Sequence, residues 1–129
     1  MRGVLMIWNY PNFSPNEFTC SCCGKQGVSL DLVSKLQQLR TAVDMPLKIS
    51  SGYRCDNHPI EKKKKIKGTH NKGLAADILC SGADAHKILC AATELKFSGI
   101  GVNMKGNHNQ RFIHLDIAKG KNRPTVWSY

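Results

Sequence analysis

Two short stretches of this chain each pair an imidazole with a carboxylate. Residues 68–77, GTHNKGLAAD, carry His70 and Asp77; residues 112–116, FIHLD, carry His114 and Asp116. A separation of seven residues is about two helical turns, so His70 and Asp77 could share a helix face. Gly73 and the apolar run ending in Ile78 and Leu79 point instead to a loop that turns and then enters a strand. In FIHLDI, strand alternation puts Phe112, His114 and Asp116 on one face and Ile113, Leu115 and Ile117 on the other. The apolar set must face the core, leaving His114 and Asp116 to look out together, roughly 7 Å apart along the strand. Two histidines and an aspartate are suitable zinc ligands, and three protein ligands leave a fourth position open. An open position is the catalytic arrangement, because zinc there lowers the pKa of water and polarises a carbonyl. Spacing alone makes this suggestive.

Other chemistry-bearing residues are less pointed. The 129 residues hold 19 Lys and Arg against 9 Asp and Glu, a formal charge of +10. Such a balance favours polyanions: nucleic acid, anionic lipid or a bacterial envelope rich in phosphate and carboxylate. Much of it lies in residues 61–68, EKKKKIKG, which read as a solvated, mobile loop or as one that draws an acidic substrate inward. The interleaved aromatics of a nucleic-acid surface are missing from it. Cys80 and Cys90, in DILC and KILC, are expected as buried thiols. The cluster CSCCG at 20–24 contains one C-x-x-C step and, with Cys55, could hold a metal. It lacks the second Cys or His pair of an ordinary structural zinc site, so a tight glycine-terminated turn is the alternative. His58 and His86 fall in a polar loop and a helix and are given no role.

The elements that must position these residues follow from period and punctuation. Ser14-Pro15-Asn16-Glu17 reads as a helix start with a capping box. Residues 29–43 carry Leu32, Val33, Leu36, Leu39 and Val43 as an amphipathic helical stripe, and Pro46 follows its end. Residues 47–54 open as a short strand, 55–72 are loop, and 74–80 are a buried strand. A second helix covers 81–97, capped by Ser81 with Asp84 at the box position and striped by Ile88, Leu89, Ala92 and Leu95. A strand fragment at 99–102, a hairpin loop at 103–109 and a last clear strand at 111–118 complete the chain. The start, residues 1–13, breaks at Asn9-Tyr10-Pro11 without a cleavage site and reads as an opening strand or arm rather than a signal peptide. No segment approaches the length of a membrane span. The expected architecture is α+β, one domain over 1–129, a small mostly antiparallel sheet with helices packed on one side.

Three ordered motifs resemble a known family. GTHNKGLAAD follows its S-x-H-x-x-G-x-A-x-D pattern with Gly68 in place of serine. Ser51, Gly52, Tyr53 and Arg54 give its S-G-Y-R, and FIHLD gives its late H-x-D strand, preceded by Gly-Ile-Gly at 99–101. The opening FSPNEFTCSCCG at 13–24 is similar to that of small phage-type members. The sequence thus resembles the zinc D-alanyl-D-alanine carboxypeptidases, a family that includes phage endolysin peptidases and shares its fold with the amino-terminal domain of hedgehog proteins. The resemblance implies zinc on His70, Asp77 and His114, and Arg54, with Tyr53 beside it, against the substrate carbonyl or carboxylate. It also implies cleavage of D-amino-acid-containing peptide bonds in peptidoglycan stems or cross-links, with anionic wall polymers as possible partners. A phage or prophage product made in the bacterial cytoplasm, and reaching the wall after release, would suit that reading. Many relatives carry an acidic general base three residues before the last histidine, where this chain has Arg111. Asp116 is the substitute expected here, either as base or as a carboxylate orienting a ligand imidazole. His108 is a weaker candidate for binding the tetrahedral intermediate.

Two rivals belong to other classes. With the acid at 111 missing, the chain could be a zinc-binding module without hydrolysis. A basic nucleic-acid-binding domain would explain the charge but not the His and Asp placements.

Overall fold

The helical stripe read over residues 29–43 forms α1, Leu30–Val43, with the Ser29 hydroxyl accepting the Asp31 N–H. Its Leu32, Val33, Leu36, Leu39 and Val43 are all buried. The second long helix, α3 (Gly82–Glu94), buries Ala85, Ile88 and Ala92. Between them in sequence lies a short helix, α2 (Pro59–Lys62), inside the span read as plain loop. Its signal was there in His58-Pro59: the His58 ring accepts the Ile60 N–H, and proline takes the first turn, where its missing donor costs nothing. The computed structural model that shows this describes residues 8–66 and 68–129. The opening arm read over 1–13 therefore lies partly outside the described residues, as does Lys67 in the basic run.

Five strands make one sheet: β1 (Lys48–Ser51), β2 (Ala75–Leu79), β3 (Gly99–Asn103), β4 (Phe112–Asp116) and β5 (Thr125–Ser128), in the order β1-β2-β4-β3-β5. Every pairing is antiparallel except that of β3 with β5. The fold is α+β as expected, but β5 went unread, because Thr-Val-Trp-Ser offers too short an alternation to stand out. On one face Ala76, Ile78, Ile100, Ile113 and Leu115 pack with α1 and α3 into a common core that also takes in Phe13 and Phe18. Among the described residues no helix is long and apolar enough to cross a membrane.

Several local readings need correction. Residues 15–18 form a single 3-10 turn, and Glu17 reaches back to accept the Ser14 N–H at 2.7 Å. Ser81 precedes α3 without a side-chain capping bond. Cys90 is exposed, because it falls off the 85-88-92 stripe, and Cys80 is half-buried, where burial pushes its thiol up to about 11.

The opposite face of the sheet decides function, and its register is the key. Ser51 pairs with Asp77, Asp77 with His114, His114 with Gly101, and Gly101 with Trp127, one row across all five strands. The next row holds Ala75, Asp116, Gly99 and Thr125. On β1 the register shifts between Ile49 and Ser51. Ile49 pairs with Ile78, and without the extra residue Ser51 would point the same way; the bulge re-aims it toward Asp77. The Gly-Ile-Gly of β3 has a physical reason as well. A Cβ on Gly99 would lie 2.3 Å from the Asp116 carboxylate, and one on Gly101 would lie 2.5 Å from the Trp127 indole nitrogen. The glycines cut a trough that those two side chains fill. Gly101→Ala should therefore cost about 1–3 kcal/mol of stability, the usual penalty of overpacking. Chemical denaturation checks this, and in a Trp127→Ala background most of that cost should vanish through non-additivity. An equal cost in both backgrounds would show that Trp127 is not what Gly101 makes room for.

Candidate metal centre

Asp77 sits second in the row, 6% exposed, between two buried imidazoles. Its Oδ1 lies 3.2 Å from His70 Nε2 and 3.1 Å from His114 Nδ1. These three donor atoms all fall within 4.8 Å of one another. The remaining nitrogen of each ring is already committed. His70 Nδ1 is 2.8 Å from the Gly52 carbonyl, which can only accept, so Nδ1 carries a proton and Nε2 is the nitrogen turned to Asp77. His114 Nε2 is 2.8 Å from Asp116 Oδ2, so Nδ1 is the nitrogen turned to Asp77. Two ring nitrogens and one carboxylate oxygen thus converge, each ring oriented from behind, and a metal ion would take the place of the protons they share with Asp77. A tetrahedral zinc with bonds of about 2.1 Å separates its ligands by about 3.4 Å, close to the two spacings here. The residues fit such an ion.

His70 reaches this point on a loop, not a strand. Gly73 turns that loop at φ +74, a conformation that strains any L side chain, and a Cβ there would meet the Gly27 carbonyl at 2.0 Å. The Gly73 carbonyl in turn accepts the Ser29 N–H at 2.8 Å, pinning the loop to the entry of α1. The Arg54 N–H donates to the His70 carbonyl at 3.2 Å, and the Asn71 amide donates to the Arg54 carbonyl at 2.9 Å. The loop bearing Arg54 and the loop bearing His70 are therefore one hydrogen-bonded unit.

Charge is arranged around the cluster in layers. Burial works to raise the Asp77 carboxyl, but His114 and His70 outweigh it and hold it far below the usual carboxylate range. Burial likewise lowers His114, yet Asp116 and Asp77 more than offset this and keep it above its ordinary value. That preference for the imidazolium states that the pocket favours a positive charge at this point. Asp116 is fully buried, not outward-looking as alternation alone implied, because the segment leading to β5 covers it. Arg123 donates from Nη2 to Asp116 Oδ2 at 2.8 Å and from Nε to Oδ1 at 3.0 Å, and the Ala118 N–H adds a third bond. Despite burial, His114 and Arg123 hold the Asp116 carboxyl far below its usual range.

A cavity of about 520 Å³ opens over the cluster. Its lining includes Arg54, Lys64, Phe112, Arg123, Trp127 and Tyr129 beside the three candidate ligands. Arg54 places Nη2 3.5 Å from Asp77 Oδ2 and Nη1 3.6 Å from Glu61 Oε2, while its Nε–H donates to Ser51 Oγ at 3.2 Å. Of the residues expected at the site, the fold brings together His70, Asp77, His114, Arg54 and Asp116. Tyr53 does not join them: its ring lies against Gly27 and lines a separate crevice with Glu17 and Thr19. His108 sits exposed in a 3-10 turn, His108–Gln110, outside the cavity lining. Arg111 donates to the Gly106 carbonyl at 3.1 Å and lines a crevice against α3.

Sequence reasoning missed Glu61, Arg123, Trp127 and Tyr129. Glu61 is fully buried although it heads the basic run. Burial would raise it, but the Gly68 N–H, Lys64 and Arg54 bring its carboxyl below the ordinary value. The usable signal was a lone acid before four lysines. The Trp127 ring lies tilted against the His114 ring, centroids 5.0 Å apart, and Arg123 sits over the indole at 5.4 Å. Its signal was the aromatic pair Trp-Ser-Tyr at the end of a polar tail.

Arg123→Ala should strand the buried Asp116 charge and cost about 3 kcal/mol at neutral pH in chelator-treated protein. Because the folded-state value of Asp116 is depressed, its stabilisation is complete above the unfolded pKa of about 3.9 and is lost as pH falls below it. The gap between wild type and variant should thus narrow in acid, as denaturation at stepped pH would reveal; a gap independent of pH would refute the pairing.

Residues 11–116 match the family model described as Peptidase M15. No curated protein matches the chain.

Proposed function

The chain belongs to the peptidase M15 family, of the zinc D-Ala-D-Ala carboxypeptidase type, and from that premise we propose that it hydrolyses D-amino-acid-containing peptide bonds of bacterial peptidoglycan. The observation that carries the reading is the convergence of His70 Nε2, Asp77 Oδ1 and His114 Nδ1 on one point at the floor of a cationic cavity. Zinc bound there supplies a Lewis acid that lowers the pKa of water and polarises a carbonyl.

The other roles belong to the chain itself. Arg54 faces the cavity with its fork steadied by Asp77, Glu61 and Ser51. A guanidinium held so can grip a terminal carboxylate bidentately or take up charge developing on a carbonyl oxygen. Lys64 and Arg123 add positive charge to the lining, which suits the carboxylates of a stem peptide. Asp116 has both oxygens engaged and no exposure, so we assign it to orienting His114 rather than to accepting a proton. Arg123 keeps that carboxylate ionised. We read residues 1–129 as one peptidase unit, and a phage or prophage lysin acting at the wall after release is the biological setting that we propose for it.

A second reading has a specific observation in its favour. Among the described residues lining the cavity, Asp77 is the only acid, and Arg111 points elsewhere. A site without a separate carboxylate base could bind muropeptides without cutting them.

Incubation with defined muropeptides, with and without chelator, and product masses separate the two. Chelator-sensitive cleavage is expected. Arg54→Lys should lose roughly 10²-fold or more in turnover with zinc retained, since a point ammonium cannot reproduce the fork. Binding with no cleavage by the zinc-loaded protein would leave the module reading standing.

Asp116→Asn separates orientation from proton transfer. It should weaken zinc affinity roughly 10- to 100-fold, and saturating zinc should restore the rate. A rate that stays roughly 10²-fold low at saturating zinc would instead return Asp116 to the role of base.

A further inference from the structure

Beginning at Cys55, the residue after Arg54, lies a second cluster of metal-ligating atoms. The sulfurs of Cys20, Cys22 and Cys55 fall within 4.8 Å of one another. Cys23 follows Cys22 in the same turn, with its sulfur outside that three-membered group. None of the four is in a disulfide.

The backbone around Cys20 has the shape of a metal knuckle. The Cys20 N–H donates to the Lys25 carbonyl and the Gly24 N–H to the Cys20 carbonyl, both at 2.8 Å, closing a tight turn. Gly24 takes φ +73 to make it, with open space around its Cα. From across the turn the Cys55 N–H donates to Cys20 Sγ at 3.3 Å. Backbone N–H donors aimed at sulfur steady metal-bound cysteines from behind. A plain glycine-terminated turn has no need of them, nor of a fourth cysteine delivered from 35 residues away.

We propose that Cys20, Cys22, Cys23 and Cys55 form a structural tetrathiolate zinc site, separate from the His70-Asp77-His114 centre. Four soft donors with no open position match closed zinc coordination, whereas catalytic sites keep a place for water. The apparent lack of a second pair in the sequence is resolved by the fold: Cys22 and Cys55 supply it. The ion would tie the 20–24 turn to the residue immediately after Arg54. Around it, the Tyr53 N–H already donates to the Phe18 carbonyl at 3.0 Å, and a Cβ on Gly52 would sit 2.7 Å from Phe18 Cα. The two segments are therefore in register before any ion binds.

Elemental analysis of protein purified in reducing, chelator-free buffer tests this. Two zinc ions per chain are expected in the wild type, one in His70→Ala/His114→Ala, and one in Cys20→Ser/Cys55→Ser. Should the serine variant fail to fold, cobalt replacement in His70→Ala/His114→Ala decides: intense thiolate-to-cobalt charge-transfer bands are expected. A folded His70→Ala/His114→Ala protein that holds no zinc and gives no sulfur bands would overturn the site. So would a Cys20–Cys55 disulfide found by mass after alkylation under the same buffer. Neither result touches the peptidase reading, which stands or falls on turnover.

Discussion

Everything on the functional face of this sheet depends on how a buried carboxylate, Asp77, is kept ionised. Placing a charge out of water is costly unless it is met by opposite charge and hydrogen bonds. Here Asp77 faces His70 and His114 through one oxygen and Arg54 through the other. Each of these partners is itself held from behind, His70 by the Gly52 carbonyl, His114 by Asp116, and Arg54 by Glu61 and Ser51. The arrangement is a set of nested charge pairs, and among the described residues no buried side-chain polar atom lacks a partner. That completeness makes the site rigid enough to hold ligand atoms at metal-bonding separation.

The sheet is what makes such nesting possible from distant parts of the chain. Row pairing across five strands sets Ser51, Asp77, His114, Gly101 and Trp127 side by side, although they span most of the sequence. The apolar face anchors this row to α1 and α3. The two faces thus divide the labour: Ile113 and Leu115 fix the height and tilt of β4, and His114 and Asp116 inherit their positions from it.

Much of this was legible beforehand, for a physical reason. Alternation in FIHLD and the stripe of α1 are local patterns whose period declares their structure, and both hold. His70, Asp77 and His114 were singled out as a trio by the motif resemblance, spacing alone leaving them suggestive, and the sheet register and the His70 loop bring them together. What escaped reading depended on contacts at long range. Glu61 looked like part of a solvated run until α2 folded it under Arg54. Asp116 looked outward until Arg123 and β5 closed over it. Cys90 sat among apolar neighbours in sequence but on the wrong side of its helix. In each case local composition was correct and the missing information was which segment covers which.

The extra residue in β1 has a consequence for how this chain tolerates change. A strand is a two-phase device: successive positions alternate between core and cavity, and a single insertion shifts the phase of everything downstream. The bulge at Ser50 makes that shift once, handing the chain from core-facing Ile49 to Ser51, which pairs with Asp77 and accepts the Arg54 Nε–H, and the turn to Gly52 and Arg54 starts from the new phase. Loss of one residue here would not merely shorten an edge strand. It would turn the Arg54 loop toward the helices and leave Asp77 and the His70 loop without their cation, while the hydrophobic core remained intact. Length at this point is a functional variable, whatever residue types occupy it.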